Sequence, residues 1–174
     1  MSHKNESPPV VLAKKSIIYY LQNRKKLPLP GDLPKELIKE QAGVFVSLKK
    51  EGRLRGCIGT FLPTKSNTAL EIIENAVSAA IHDPRFCPVT LDEMESLSIS
   101  VDILTAPEKV KDISQLDPRK YGVIVSSGYK KGLLLPDLEG VDSAEQQIDI
   151  ARQKAGIYAD EDFFIERFEV KRYY

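Results

Sequence analysis

The chain has 174 residues, 42% of them hydrophobic and 29% charged, with 25 Lys+Arg set against 25 Asp+Glu. This is the makeup of a folded globular chain rather than a disordered or fibrous one, and a formal charge of zero gives no global field to draw it to nucleic acid or an anionic membrane. No apolar run approaches the roughly 20 residues needed to span a bilayer, and residues 1–11 lack a charged-then-apolar leader, so the expected setting is the cytoplasm.

In chain order, Val10, Ala13, Ile17, Tyr20 and Leu21 recur with a helical period, which predicts a helix over 10–26 running into an extended Leu27-Pro28-Leu29-Pro30-Gly31 linker. Residues 43–59 read as two strands around a loop, with Gly52 free to take positive φ. A three-residue loop at 50–52 would pair Lys49 with Arg53, Ser47 with Arg55 and Phe45 with Cys57. Ser66 or Asn67 then offers an N-cap, Thr68 and Glu71 stand at capping-box spacing, and Leu70, Ile73, Val77, Ala80 and Ile81 form one apolar stripe. The helix must stop near Asp83, because Pro84 follows. After it, Leu97, Ile99, Val101 and Ile103 alternate as one face of a half-buried strand.

The second half repeats that order. Residues 122–136 mirror the first hairpin, with Gly128 or Gly132 serving the turn. Ser143 and Gln146 open a helix that closes at Gly156, and residues 163–174 supply a last strand. The opening glycines, Gly43 and Gly122, are 79 residues apart. The expected architecture is α+β: one mostly antiparallel sheet built from two duplicated hairpin-helix-strand units, about 43–104 and 122–174, with helices packed on it. Chance recurrence of a common arrangement is the alternative.

A chain of this length can bury roughly 70% of its unfolded surface and needs no disulfide, so Cys57 and Cys87 read as thiols. Beside them stand only His3 and His82, too few for a structural zinc site at recognisable spacing. Phosphate loops, dinucleotide fingerprints, nucleophile elbows, His-Glu-x-x-His and iron-sulfur cysteine triplets are missing from the sequence, so no cofactor is predicted.

The run Leu54-Arg55-Gly56-Cys57-Ile58-Gly59, then Asp83-Pro84-Arg85-Phe86, Gly132-Leu-Leu-Leu-Pro136 and Gln153-Lys-Ala-Gly156, resembles the AMMECR-type domain, known in prokaryotes as AmmeMemoRadiSam system protein A. The resemblance covers residues 10–174 and implies a single antiparallel sheet of two repeats. It also implies association with a Memo-type protein and a radical S-adenosylmethionine enzyme, to which any radical chemistry would belong. It implies no reaction. Cys87 stands where the family pattern carries proline.

Strand alternation in the predicted register sends Val44, Val46, Leu48, Leu54 and Ile58 to the core and Phe45, Ser47, Arg53, Arg55 and Cys57 to the other face. Arg55 and Cys57 would then be neighbours about 6.5 to 7 Å apart, the guanidinium favouring the thiolate. Gly56 and Gly59 would let a ligand approach, or act only as bulge formers. Cys57 is the candidate nucleophile, with a small inert core residue as its alternative. Asp83 and Arg85 complete the ligand-binding set, Arg85 facing an anion and Asp83 facing Arg55, unless the segment is only a turn. His82 suits the helix C-terminus. Two functions follow: binding or processing a small anionic molecule, modified nucleotide or peptide at an Arg55/Cys57 cleft, or a non-catalytic adaptor for the Memo-type and radical-enzyme partners.

Overall fold

The computed structural model describes residues 6–174; His3 lies outside them. The elements are α1 (Pro8–Asn23), α2 (Lys35–Lys39), β1 (Val44–Lys50), β2 (Arg53–Thr60), α3 (Thr68–Ile81), β3 (Leu97–Leu104), β4 (Glu108–Val110), β5 (Tyr121–Ser127), β6 (Lys130–Leu134), α4 (Ala144–Ala155) and β7 (Phe164–Tyr173), with 3-10 turns at Leu91–Ser96 and Ile113–Gln115. The strands form one antiparallel sheet in the order β2-β1-β3-β7-β5-β6, β4 pairing with β7. In each half, the second hairpin strand is outermost, the first lies inside it, and the strand after the helix follows. The fold is α+β, as the residue pattern predicts.

Two compact units divide the chain. The first takes the chain to Ile103 and again Lys171–Tyr174. Its core joins Val44, Val46 and Leu48 of β1 and Val101 of β3 to Ala69, Ile72, Ala76 and Ala79 of α3, with Val10, Leu12, Ala13 and Ile17 of α1 packed on it. The second unit, Leu104–Val170, closes α4 over β5 and β6 around Val123, Val125, Leu134, Ile148 and Ala151.

Helix limits follow local chemistry. The first helix starts at Pro8 and ends at Asn23, not over 10–26: prolines fit the first helical turn, where their missing N–H is unneeded, and Arg24 takes a left-handed φ of 57°. The expected linker at 27–31 carries no helix, and the short α2 follows it. Asn67 caps α3 by accepting from the Leu70 N–H at 2.9 Å, while Ser143 caps α4 and Gly156 ends it at φ 69°.

The first hairpin departs from the expected register. Glu51 and Gly52 both take positive φ (51° and 75°) and make a two-residue turn, so Lys50 pairs with Arg53 and Lys49 with Leu54. A bulge follows. Leu48 pairs with Gly56, leaving Arg55 as the extra residue, and Ser47 pairs with Cys57. The bulge reverses facing between its two sides. Cys57 stays on the open face with Ser47, but Leu54 leaves the core and is 41% exposed.

Candidate functional site

The site forms where the segment after α3 closes on β2, an outermost strand of the sheet. Asp83, just past the last turn of α3, is buried, with its side chain 2% exposed. Its Oδ2 accepts from the Cys57 backbone N–H at 2.9 Å, and Oδ1 from the Arg85 N–H at 3.1 Å. The Arg85 guanidinium grips the same carboxylate at both oxygens, Nε to Oδ1 at 3.0 Å and Nη2 to Oδ2 at 2.8 Å. Nη2 also donates to the Cys57 carbonyl at 3.3 Å. One Asp-Arg pair therefore satisfies both outward backbone groups of Cys57, as a neighbouring strand would, and blunts the sheet edge there. The Arg85 hydrogen bonds, joined by the Cys57 and Arg85 amides, hold the Asp83 carboxyl well below the usual carboxylate range against the opposing effect of burial.

Arg55 goes elsewhere. At the bulge it lies with Lys50, on the face away from Cys57, and both reach Glu93. Arg55 forms a fork, Nε to Oε1 at 3.1 Å and Nη2 to Oε2 at 3.0 Å, and Nη1 donates to the Cys87 carbonyl at 2.9 Å. Glu93 also accepts from the Thr90 N–H in a capping box. The Arg55 fork and the Thr90 amide lower its carboxyl to about 2. The expected approach of Arg55 to Cys57, and of Asp83 to Arg55, is thus replaced by two separate pairs, because the bulge turns Arg55 to the other face.

Cys57 is half-buried, and its Sγ accepts from the Ser47 hydroxyl at 3.2 Å. The nearby guanidinium is that of Arg85, which the Asp83 carboxylate and the Cys57 sulfur both favour in its charged state. Arg85 remains 55% exposed and lies over the Phe86 ring at 5.5 Å. The two glycines differ: a Cβ at Gly56 would overlap the Ala79 carbonyl of α3, so Gly56 serves helix packing, while Gly59 is backed on the open face by the Phe45 ring. Cys87 is exposed and reduced, and His82 is an exposed C-cap of α3. Among the described residues no group of three or more His, Cys, Asp or Glu is placed to hold a metal.

Sequence reasoning missed Glu93, whose capping-box spacing with Thr90 is visible, and gave Glu71 the wrong role. The expected box of Thr68 and Glu71 does not form. Instead Glu71, fully buried, accepts from Thr60 Oγ1 at 2.5 Å, the Thr64 hydroxyl at 2.9 Å and the Thr64 and Lys65 amides at 2.8 Å each, pinning the β2–α3 connection.

An outer strand whose edge is closed by an Asp-Arg pair beside a thiol, in a sheet of two like-ordered halves, defines an α+β protein with its candidate site on the first hairpin. The AMMECR1 family model matches residues 10–173, and the chain belongs to that family. A Thermotoga maritima protein is 54% identical over 170 residues, covering 97% of this chain and 98% of its own. A Clostridium acetobutylicum protein is 49% identical over 174 residues, and the chain spans 37% of that protein's length. Among solved structures, a Pyrococcus horikoshii protein, PH0010, superposes with a TM-score of 0.82 at 34% identity, covering 94% of this chain and 88% of that one. No helix among the described residues is long and apolar enough to cross a membrane.

Proposed function

We propose that the chain binds a small anion-bearing molecule at the outer edge of β2, with Arg85 reading the anion and the Cys57 thiol meeting the group beside it. The observation that carries this is the state of Arg85. Its guanidinium is half exposed yet locked at two nitrogens by a buried carboxylate, so it meets an anion without first losing rotamer freedom. Asp83 and Arg55 act as positioning residues. Asp83 orients Arg85, and Arg55, through Glu93 and the Cys87 carbonyl, fastens the segment that carries them. A cytoplasmic setting suits reduced thiols, and Memo-type and radical S-adenosylmethionine proteins are the partners that the family resemblance suggests.

Alkylation tests the reading. Cys57 should prefer iodoacetate over iodoacetamide several-fold more than a cysteine in an unstructured peptide does, with labelling followed peptide by peptide. Arg85→Gln should remove the preference and orthophosphate should slow it. A preference equal to the peptide's would overturn the proposal.

A non-catalytic adaptor is the second reading, favoured by three aromatics of the second unit: Tyr129, Phe164 and Tyr158 are 95%, 77% and 71% exposed. Retention of Memo-type or radical-enzyme partners by the native chain, lost on changing Tyr129 and Phe164 to Ser, would support it.

A further inference from the structure

The register of β1 with β2 and with β3 places Cys57, Ser47 and Ser100 in one row across three strands, and Gly59, Phe45 and Asp102 in the next. Both rows lie on the face opposite Val44, Val46, Leu48 and Val101. At the far end of the second row, Asp102 is almost wholly enclosed, its side chain 6% exposed, and both its oxygens are taken by Arg172 of β7: Nε to Oδ1 at 2.7 Å and Nη2 to Oδ2 at 2.8 Å. Arg172, whose charged state Tyr174 also favours by a hydrogen bond, still keeps 52% of its side chain exposed.

This arrangement repeats the one at Arg85: a carboxylate 2% exposed gripping a guanidinium 55% exposed there, 6% and 52% here. Stability is a weak reason for either pair, since enclosing a carboxylate carries a large desolvation cost and an apolar pair of equal volume often does as well. What both provide is a cation fixed in direction and left open on one side. We infer that Arg172 is a second anion-reading guanidinium on this face, so that the molecule read at Arg85 is extended and carries two anionic groups. The inference rests on the reading of Arg85 proposed above. Neighbouring strands lie about 4.8 Å apart and alternate residues about 7 Å, so crossing from the outer edge of β2 to β3, one row along, puts the two anion positions roughly 15 Å apart. Between them the ligand passes over Ser47, Ser100 and the Cys57 thiol with the Phe45 ring beside them, which suits a hydrogen-bonding span with one flat apolar contact.

Capped peptides Asp-(Gly)n-Asp test the spacing, because an extended chain advances about 3.4 Å per residue and three glycines set the carboxylates roughly 14 Å apart. By titration calorimetry at low ionic strength, affinity should peak near n = 3 or 4, about tenfold above capped Asp alone, the contribution of one more charge-assisted contact. Arg172→Gln should reduce the best peptide to the single-anion level. The double change Asp102→Asn with Arg172→Gln, which replaces the ion pair by an amide pair, should do the same in a protein with unchanged circular dichroism. Affinity independent of n, or a peak that survives either variant, overturns the inference; if Arg85→Gln still abolishes capped-Asp binding, the Arg85 reading stands alone. Indifference of all peptides to Arg85→Gln, or no binding at all, overturns both.

Discussion

Asp83 ties the segment after α3 to the backbone of Cys57. It accepts from the Cys57 amide, the Arg85 amide and the Arg85 guanidinium while its own side chain is 2% exposed. Asn in its place keeps the size but loses the charge and offers a donor to the Arg85 fork. Asp83→Asn should therefore cost about 2 kcal/mol in a urea melt, the usual worth of hydrogen bonds to a charged group, and should erase the iodoacetate preference of Cys57. A loss under about 0.5 kcal/mol would mean that the edge of β2 is held by something else. Cys57 itself matters less to stability: half-buried beside a hydroxyl, it should tolerate serine at a cost near 1 kcal/mol.

At the scale of elements, the two halves use one packing device. In β2, Gly56 lets the strand press against the Ala79 carbonyl of α3; in β6, Gly132 does so against the Ala151 carbonyl of α4. The residue after each glycine has its outward carbonyl capped by a cation, Cys57 by Arg85 and Leu133 by Lys154 at 2.9 Å. A methyl group at either glycine would drive the helix from its strand. Gly56→Ala and Gly132→Ala should each destabilise by about 2 to 3 kcal/mol, the upper part of the range for overpacking. Gly31→Ala, where a Cβ meets nothing within 4 Å and φ is not positive, should be near neutral. Equal melting of Gly31→Ala and Gly56→Ala would refute the close-approach account.

Over the whole molecule, acid should act first on the first unit, which contains Glu71, Asp83 and Glu93. All three carboxyls are held below their ordinary values: Glu71 by hydrogen bonds from Thr60, Thr64 and Lys65 against burial, Asp83 by Arg85, and Glu93, at about 2, by Arg55. A group with a lowered folded pKa contributes stability that is complete above its unfolded value of roughly 4 and is lost as pH falls through the folded one. Unfolding free energy should thus be level from pH 7 to 5 and fall steadily from about 5 towards 2. Glu93→Gln should flatten part of that fall, by on the order of 2 kcal/mol. Hydrogen exchange at pH 3 should show β1, β2 and α3 opening before β5, β6 and α4; the reverse order would contradict this.

Much of this architecture is determined by the sequence alone, because its signals act over a few residues. Asn67 and Ser143 cap helices three residues before the amides they accept from, Gly156 ends α4, and Leu97, Ile99 and Val101 alternate along β3. The hairpin-helix-strand order of both halves followed from such local signs, as did the placing of Cys57 and Ser47 on the open face. Only the tertiary structure decided which arginine binds the backbone of Cys57. A two-residue turn and a bulge were needed to send Arg55 to Glu93, 38 residues on, while Asp83 reaches back 26 residues to Cys57 and Arg172 returns 70 residues to Asp102. Those partners are chosen by which strands become neighbours and which carboxylates become enclosed, and a buried charge accepts whatever cation the completed fold brings within reach.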